Sequence, residues 1–295
     1  MKDTFSGCHP AVNFTYFAAV ILCSMFFLHP VFLGISLVCS VAYSLYLNGG
    51  RALRFNLLFM LPAFLLFAFV NPFFNHEGVT ALLYINDNAV TLEAIAYGFA
   101  SGAMFASVII WFSCYNAVMT SDKFIHLFGR VIPALSLIFS MVLRLIPKLK
   151  AQIKVISNAQ KCVGRDVTNG NLLQRAKNGL TILSILTTWA LENGVDTADS
   201  MRSRGYGLKG RTSFSNFRFD RRDRILLLVM LALIAGVLAG AALGENSMTY
   251  FPAMKAGPVT AASWAVYLCY AGLCLLPLIL DWREDLKWKH LQSRI

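Results

Sequence analysis

Six apolar runs, each long enough to cross a bilayer, constrain this chain more than any motif does. They are Ala11–Leu28, Val31–Leu47, Phe55–Phe74, Ala94–Met119, Ile225–Leu243 and Ala261–Leu280. A hydrocarbon core of about 30 Å takes roughly 20 apolar helical residues, with about 17 as a practical minimum. Composition agrees, because 57% of the 295 residues are hydrophobic and only 14% are charged, whereas a soluble domain carries about a quarter charged residues. The expected fold class is all-α, a multi-pass protein of the cell membrane with about six helical spans. Only His29 and Pro30 separate the first two runs, so these form a tight hairpin or a pair of short, tilted spans. Met1–Pro10 holds one lysine and no small-residue cleavage site follows, so the first run is expected to stay as an anchor rather than act as a signal peptide.

Basic charge orients these runs. Of the 26 lysines and arginines, 18 lie between Met119 and Arg224 inclusive, and 15 of those follow Pro147. Basic loops stay cytoplasmic. A seventh apolar stretch, Val131–Ile146, is therefore not expected to cross, since crossing would export those 15 charges. With six spans, Arg51, Arg54, Arg283, Lys287, Lys289 and Arg294 fall inside, and the lysine- and arginine-free loop Asn75–Glu93 falls outside. Both termini are expected in the cytoplasm. The chain then divides into membrane helices at 1–119, a cytoplasmic helical domain at 120–223 inserted between spans four and five, and C-terminal helices with a tail at 224–295.

The insertion is amphipathic. Val142, Leu145, Ile146, Leu149, Ile153, Ile156, Ala159 and Val163 fall on one helical face, with Lys148, Lys150, Lys154 and Lys161 off it, which is the spacing of an amphipathic helix. Gly164 and Asp166 are expected to end that helix. A second stripe, Leu172, Leu173, Ala176, Leu180, Leu183, Leu186 and Ala190, follows Asn169-Gly170 and is expected to stop at Asn193-Gly194. A short third helix is then expected over Thr197–Arg204, closed by Gly205 and Gly207, where glycine suits a helix C-terminus. Stripes of this kind either lie among lipid headgroups or pack against one another while helix ends carrying arginine reach a soluble partner. Arginine suits that second task, because its fixed fork of donors holds carboxylates and carbonyls.

Catalytic chemistry is not visible. The seven cysteines are scattered, without metal or disulfide spacing, and are expected to be small buried hydrophobes. His9, His29, His76, His126 and His290 are dispersed, so no metal site is expected. Asp87 and Glu93 read as solvated loop charges, and Asn71-Pro72 as a kink or stop at the end of the third span. The chain has no GxxxxGK[ST] phosphate loop, so no cofactor or nucleotide site is expected. A secondary transporter would place ionisable groups at mid-membrane and often shows internal repeats, and these spans carry almost none. The basic insertion is expected to meet lipid headgroups or an acidic protein groove rather than nucleic acid.

Three segments carry a resemblance: Phe69–Gly98, Trp111–Leu149 and Ala198–Gly207, the last reading ADSMRSRGYG. Together, over about residues 55–243, they resemble the transmembrane T component of energy-coupling factor transporters, the group that includes the cobalt-transport protein CbiQ. The resemblance implies a non-enzymatic subunit of an ATP-driven importer of vitamins or transition-metal ions. It implies two partner ATP-binding cassette subunits, identical or different, and a small membrane protein, the S component, that captures the substrate. It also implies two short motifs, typically Ala-Arg-Gly, that end coupling helices and sit in grooves on the two ATPases. The second motif here is Ser203-Arg204-Gly205. The first falls at Cys162-Val163-Gly164, with valine where arginine is expected, and Lys161 or Arg165 as neighbouring charges. Either one ATPase has a more apolar groove there, or coupling relies on a single arginine anchor. A secondary transporter and a membrane scaffold unrelated to ATPases are the rival readings.

Overall fold

A computed structural model describes residues 3–75, 77–85, 88–129, 133–206, 208, 217–244, 247–257 and 260–292. Asp87, His76 and Gly207 lie outside these residues. Nine α-helices are present among them: α1 Pro10–Phe26, α2 Pro30–Asn48, α3 Gly50–Phe74, α4 Leu92–Val118, α5 Ser121–Gly129, α6 Pro133–Cys162, α7 Leu172–Ser203, α8 Arg221–Ala242 and α9 Ala261–Gln292. The chain forms two compact units, one from residues 1–124 with 217–295, the other from 125–216.

The first unit carries the apolar helices. Among the described residues α2, α4, α8 and α9 are long and apolar enough to cross a membrane, while Pro10–Phe26 and Met60–Phe74 are shorter apolar helices. His29 caps α2 through its Nδ1, which accepts from Val31 N at 3.3 Å, and Pro30 occupies the first helical position. The missing N–H of proline costs nothing there, which explains how two residues suffice to turn the chain. Tyr16, Phe17, Tyr43, Trp111 and Tyr270 fill the core and are almost fully buried. Their polar tips find partners inside it: Tyr16 OH donates to Cys274 O at 3.0 Å and Trp111 Nε1 to Ser36 Oγ at 3.0 Å. Helix α4 lies close on α3 at Gly98 and Gly102, where an added Cβ would sit 2.9 Å from the carbonyl oxygens of Ala68 and Phe64. Such small residues allow close approach where no hydrophobic effect drives helix pairing.

Several sequence expectations change. The loop between α3 and α4 contains a hairpin, β1 Ala81–Ile85 with β2 Asn88–Thr91, and a second pairs β3 Met248–Thr249 with β4 Lys255–Ala256. Glu93 is not a solvated loop charge. It is buried, in the first turn of α4, and accepts from Thr80 Oγ1 at 2.7 Å, where a carboxylate also complements the helix dipole. Pro72 does not stop α3, which continues to Phe74. Cys8, Cys23, Cys39, Cys114 and Cys274 are buried, whereas Cys162 is exposed.

The second unit holds α6 and α7. Pro133–Ile146 forms the first half of α6, continuous with the amphipathic stretch that ends at Cys162. Helix α7 runs unbroken through Asn193-Gly194, so there is no separate third helix. One glycine costs a helix only about 1 kcal/mol, and α6 holds that turn. Lys148 Nζ donates to Asn193 Oδ1 at 3.1 Å and lies 5.6 Å from the centre of the Trp189 ring. Among its apolar side chains α7 buries Ile182 and, in part, Leu186, Trp189, Ala190 and Met201. Leu172, Leu173, Leu180, Leu183, Leu191 and Val195 remain exposed. The α7 stripe therefore does not pack mainly against its own neighbour.

Candidate functional site

The two candidate motifs are the C-terminal ends of α6 and α7, and the two ends have the same backbone. At α7, Ser203 is the last helical residue and Arg204 the cap, followed by Gly205 at φ 81°. Gly205 N–H donates to Arg202 O at 3.1 Å, and Tyr206 N–H to Met201 O at 3.0 Å. At α6, Cys162 is the last helical residue, Val163 follows, and Gly164 has φ 76°. Gly164 N–H donates to Lys161 O at 3.0 Å, and Arg165 N–H to Gln160 O at 2.9 Å. Both are Schellman closures, in which a left-handed residue turns the chain so that two N–H groups satisfy the last free carbonyls. The left-handed conformation costs an ordinary L-residue about 1–2 kcal/mol. That is why glycine holds the third position of each motif.

The side chains differ. The Ser203 hydroxyl donates to Ser200 O at 2.9 Å, so it is satisfied on its own helix and leaves a small surface much as alanine would. Arg204 is exposed beside it. At the equivalent position of α6, Val163 is 71% exposed, an isopropyl apolar surface at a helix end. Neither flanking charge replaces the missing arginine in place. Lys161 Nζ lies 3.5 Å from Asp166 Oδ2, which directs it into the following loop. The Asp166 carboxyl sits below its usual range, chiefly because Thr168 donates to it from Oγ1 at 2.7 Å, with Thr168 N–H and then Lys161 adding to the effect. Arg165 is exposed, but it lies two residues beyond Val163 and after the chain has reversed at Gly164.

The loop after α6 is tied back to α7. Arg175 Nε donates to Val167 O at 2.7 Å, Asn178 Nδ2 to Asp166 O at 2.9 Å, and Asn171 caps α7 by accepting from Leu172 N at 3.1 Å. The sequence reading missed these staples and the part of Asp166 in holding Lys161. Its only signal was the Asp-x-Thr spacing of Asp166 and Thr168, a local turn motif. Among the glycines read as helix ends, Gly164 and Gly205 are caps, and Gly194 is not, because it lies within α7.

Comparison with known proteins places the chain in a family. Residues 8–214 match the family described as cobalt transport protein, CbiQ. The energy-coupling factor transporter transmembrane protein EcfT of Lactobacillus helveticus is 33% identical over 117 residues, covering 39% of this chain and 42% of that protein. The EcfT of Lactococcus lactis is 37% identical over 100 residues, covering 34% and 38%. That of Listeria innocua is 33% identical over 162 residues, covering 50% and 61%. The chain thus spans about half the length of the curated relatives it matches. With the family match running from before α1 to beyond both capped ends, this multi-pass membrane chain belongs to the CbiQ cobalt transport protein family.

Proposed function

We propose that the chain is the energy-coupling membrane subunit of an ATP-driven importer, with no catalysis of its own. The supporting observation is the pair of identically closed helix ends, one of which presents Arg204 to solvent between a small residue and a glycine. Ser203-Arg204-Gly205 docks one cytoplasmic ATPase subunit, with the guanidinium meeting carboxylates or carbonyls in its groove. Cys162-Val163-Gly164 docks the other through an apolar contact at Val163, with Lys161 and Arg165 at the edge. The exposed leucines of α7 hold a separate membrane protein, the S component, which carries the vitamin or transition-metal ion. ATP binding draws the two ATPases together, and a platform with one end in each transmits that motion as a rigid-body shift.

The experiment is purification of the tagged full chain from its source cells. A stable complex with two ATPase subunits is expected, and Arg204→Glu should release one of them and reduce uptake while membrane insertion persists. A chain that holds no ATPase refutes the proposal. The same proposal places six spans with both termini in the cytoplasm. Accordingly Asn88→Cys should react with an impermeant thiol reagent from outside, and Gly210→Cys only after the membrane is opened.

A further inference from the structure

The unit formed by residues 1–124 and 217–295 contains a second polar cluster, at the N-terminal strap Asp3–His9. Asp281 Oδ1 accepts the backbone N–H groups of Thr4 at 2.8 Å and Phe5 at 3.4 Å. Phe5 is fully buried, edge-on to Tyr16 and Phe17. Lys123, itself buried, donates from Nζ to the carbonyl and hydroxyl of Ser6 and to Val118 O. Further along, His9 N–H donates to Asp223 Oδ1 at 3.3 Å. The strap thereby ties α9, α5 and α8 together.

One atom in this arrangement lacks a partner. Asp281 follows the apolar run Ala261–Leu280 and is 2% exposed, yet its Oδ2 has no hydrogen-bond partner among the described residues. Burying a carboxylate oxygen without a donor is costly. The Asp3 carboxyl stands beside it, since Phe5 N–H donates to Asp3 Oδ1 at 3.0 Å as well as to Asp281 Oδ1 at 3.4 Å, and two adjacent carboxyl groups can share a hydrogen bond only if one of them carries a proton.

We propose that Asp3 and Asp281 form a proton-binding site that latches the N-terminal strap onto α9. Among the described residues the groups around the pair are mainly neutral or acidic, with Lys123 the cation within electrostatic reach of Asp3. From α2, Tyr43 OH donates to Asp3 Oδ2 at 3.1 Å, and Tyr46 lies within electrostatic reach of Asp281. On α9, Glu284 accepts from Thr4 Oγ1 at 3.2 Å and pairs with Arg222 of α8 at 3.0 Å, and Asp285 adds a further negative charge. Among the described residues neither Arg222 nor Lys123 is ion-paired with Asp3 or Asp281. A proton is the ligand that lets two adjacent buried carboxyl groups share a hydrogen bond.

The direction of the pH effect follows. Burial first, and then Asp3, raise the Asp281 carboxyl to about 7, against about 4 when the strap is free. A group whose docked pKa is raised contributes fully below its free value and loses that contribution as pH rises through the docked value. The latch is therefore tight in acid, weakens from about pH 4 toward 7, and stays weak above that.

Cys8 is the reporter, because the strap keeps it 3% exposed. Its alkylation by iodoacetamide in the detergent-solubilised full chain is followed by mass spectrometry from about pH 5 to about pH 8.5, the range over which the site titrates. Asp281→Asn is the reference. Its amide still accepts from Thr4 and can donate to Asp3 without titrating, and dividing by its rate removes the ionisation of the thiol itself. The ratio of wild type to Asp281→Asn should be near one at the acid end and rise about tenfold or more at the alkaline end, as a shift of more than one pKa unit requires. Asp3→Asn should abolish that rise as well, and serves as the reference if Asp281→Asn fails to fold. A ratio that does not change with pH, or a full rise that persists in Asp3→Asn, overturns the proposal.

Discussion

The ends of α6 and α7 are alike in backbone and unlike in chemistry. Each closes with a glycine near φ 80° and with two N–H groups returned to the last turn, so the residue before the glycine leaves both helices in the same local geometry. At one end that residue is Arg204 and at the other Val163. The cap sets where a side chain points, and the side chain selects its partner. Under the proposed docking, two equivalent sockets would not serve both, because a groove whose carboxylates pair with a guanidinium would be left unpaired against valine, at a cost of several kcal/mol when buried. The asymmetry is thus carried by a single side chain.

The comparison breaks most readily at its charged end. Arg204→Glu should weaken ATPase attachment by about 2–5 kcal/mol, the range for losing one partner of a buried charged pair, as measured by titrating ATPase onto the immobilised chain. Unchanged affinity would remove the α7 end from the docking interface. Val163→Arg should also weaken attachment, by about 1–3 kcal/mol, the cost of a poorly matched polar group in an apolar groove. Tighter binding instead would mean that the two grooves are alike.

Smaller effects test the backbone. Gly164→Ala and Gly205→Ala should each cost about 1–2 kcal/mol, from the left-handed conformation, read as a lower thermal midpoint. Gly205→Ala should be the worse of the two, since its Cβ would stand 3.1 Å from Leu208 Cδ1 while that of Gly164 meets nothing within 4 Å. Equal losses would show that Leu208 yields. Gly194→Ala should instead stabilise α7 by about 0.5–1 kcal/mol, because the position is inside the helix and its Cβ finds open space. A loss there would mean that the Asn193-Gly194 turn bends in use.

Both glycine stops, Gly164 and Gly205, were legible from periodicity followed by a residue that tolerates the left-handed region. Gly194 was misread by the same rule. Composition cannot distinguish a glycine that ends a helix from one that a neighbour holds inside it, and here the neighbour is Lys148, 45 residues away in sequence. Glu93 escaped for a similar reason. Its acceptor role depends on Thr80, which reaches it only because the hairpin between them folds back. Likewise Lys161 resembled a stand-in for the absent arginine until Asp166 was seen to hold it.

The sequence by itself determined the membrane class, the apolar helices and the two glycine-closed ends, because hydrophobic run length and glycine conformational freedom act over a few residues and need no distant partner. Only the tertiary structure decided which apolar side chains of α7 stay exposed, and that Asp281 is buried against the strap beginning at Asp3. Those outcomes depend on contacts between segments as far as 277 residues apart, and pairings over such separations are fixed by packing rather than by local pattern.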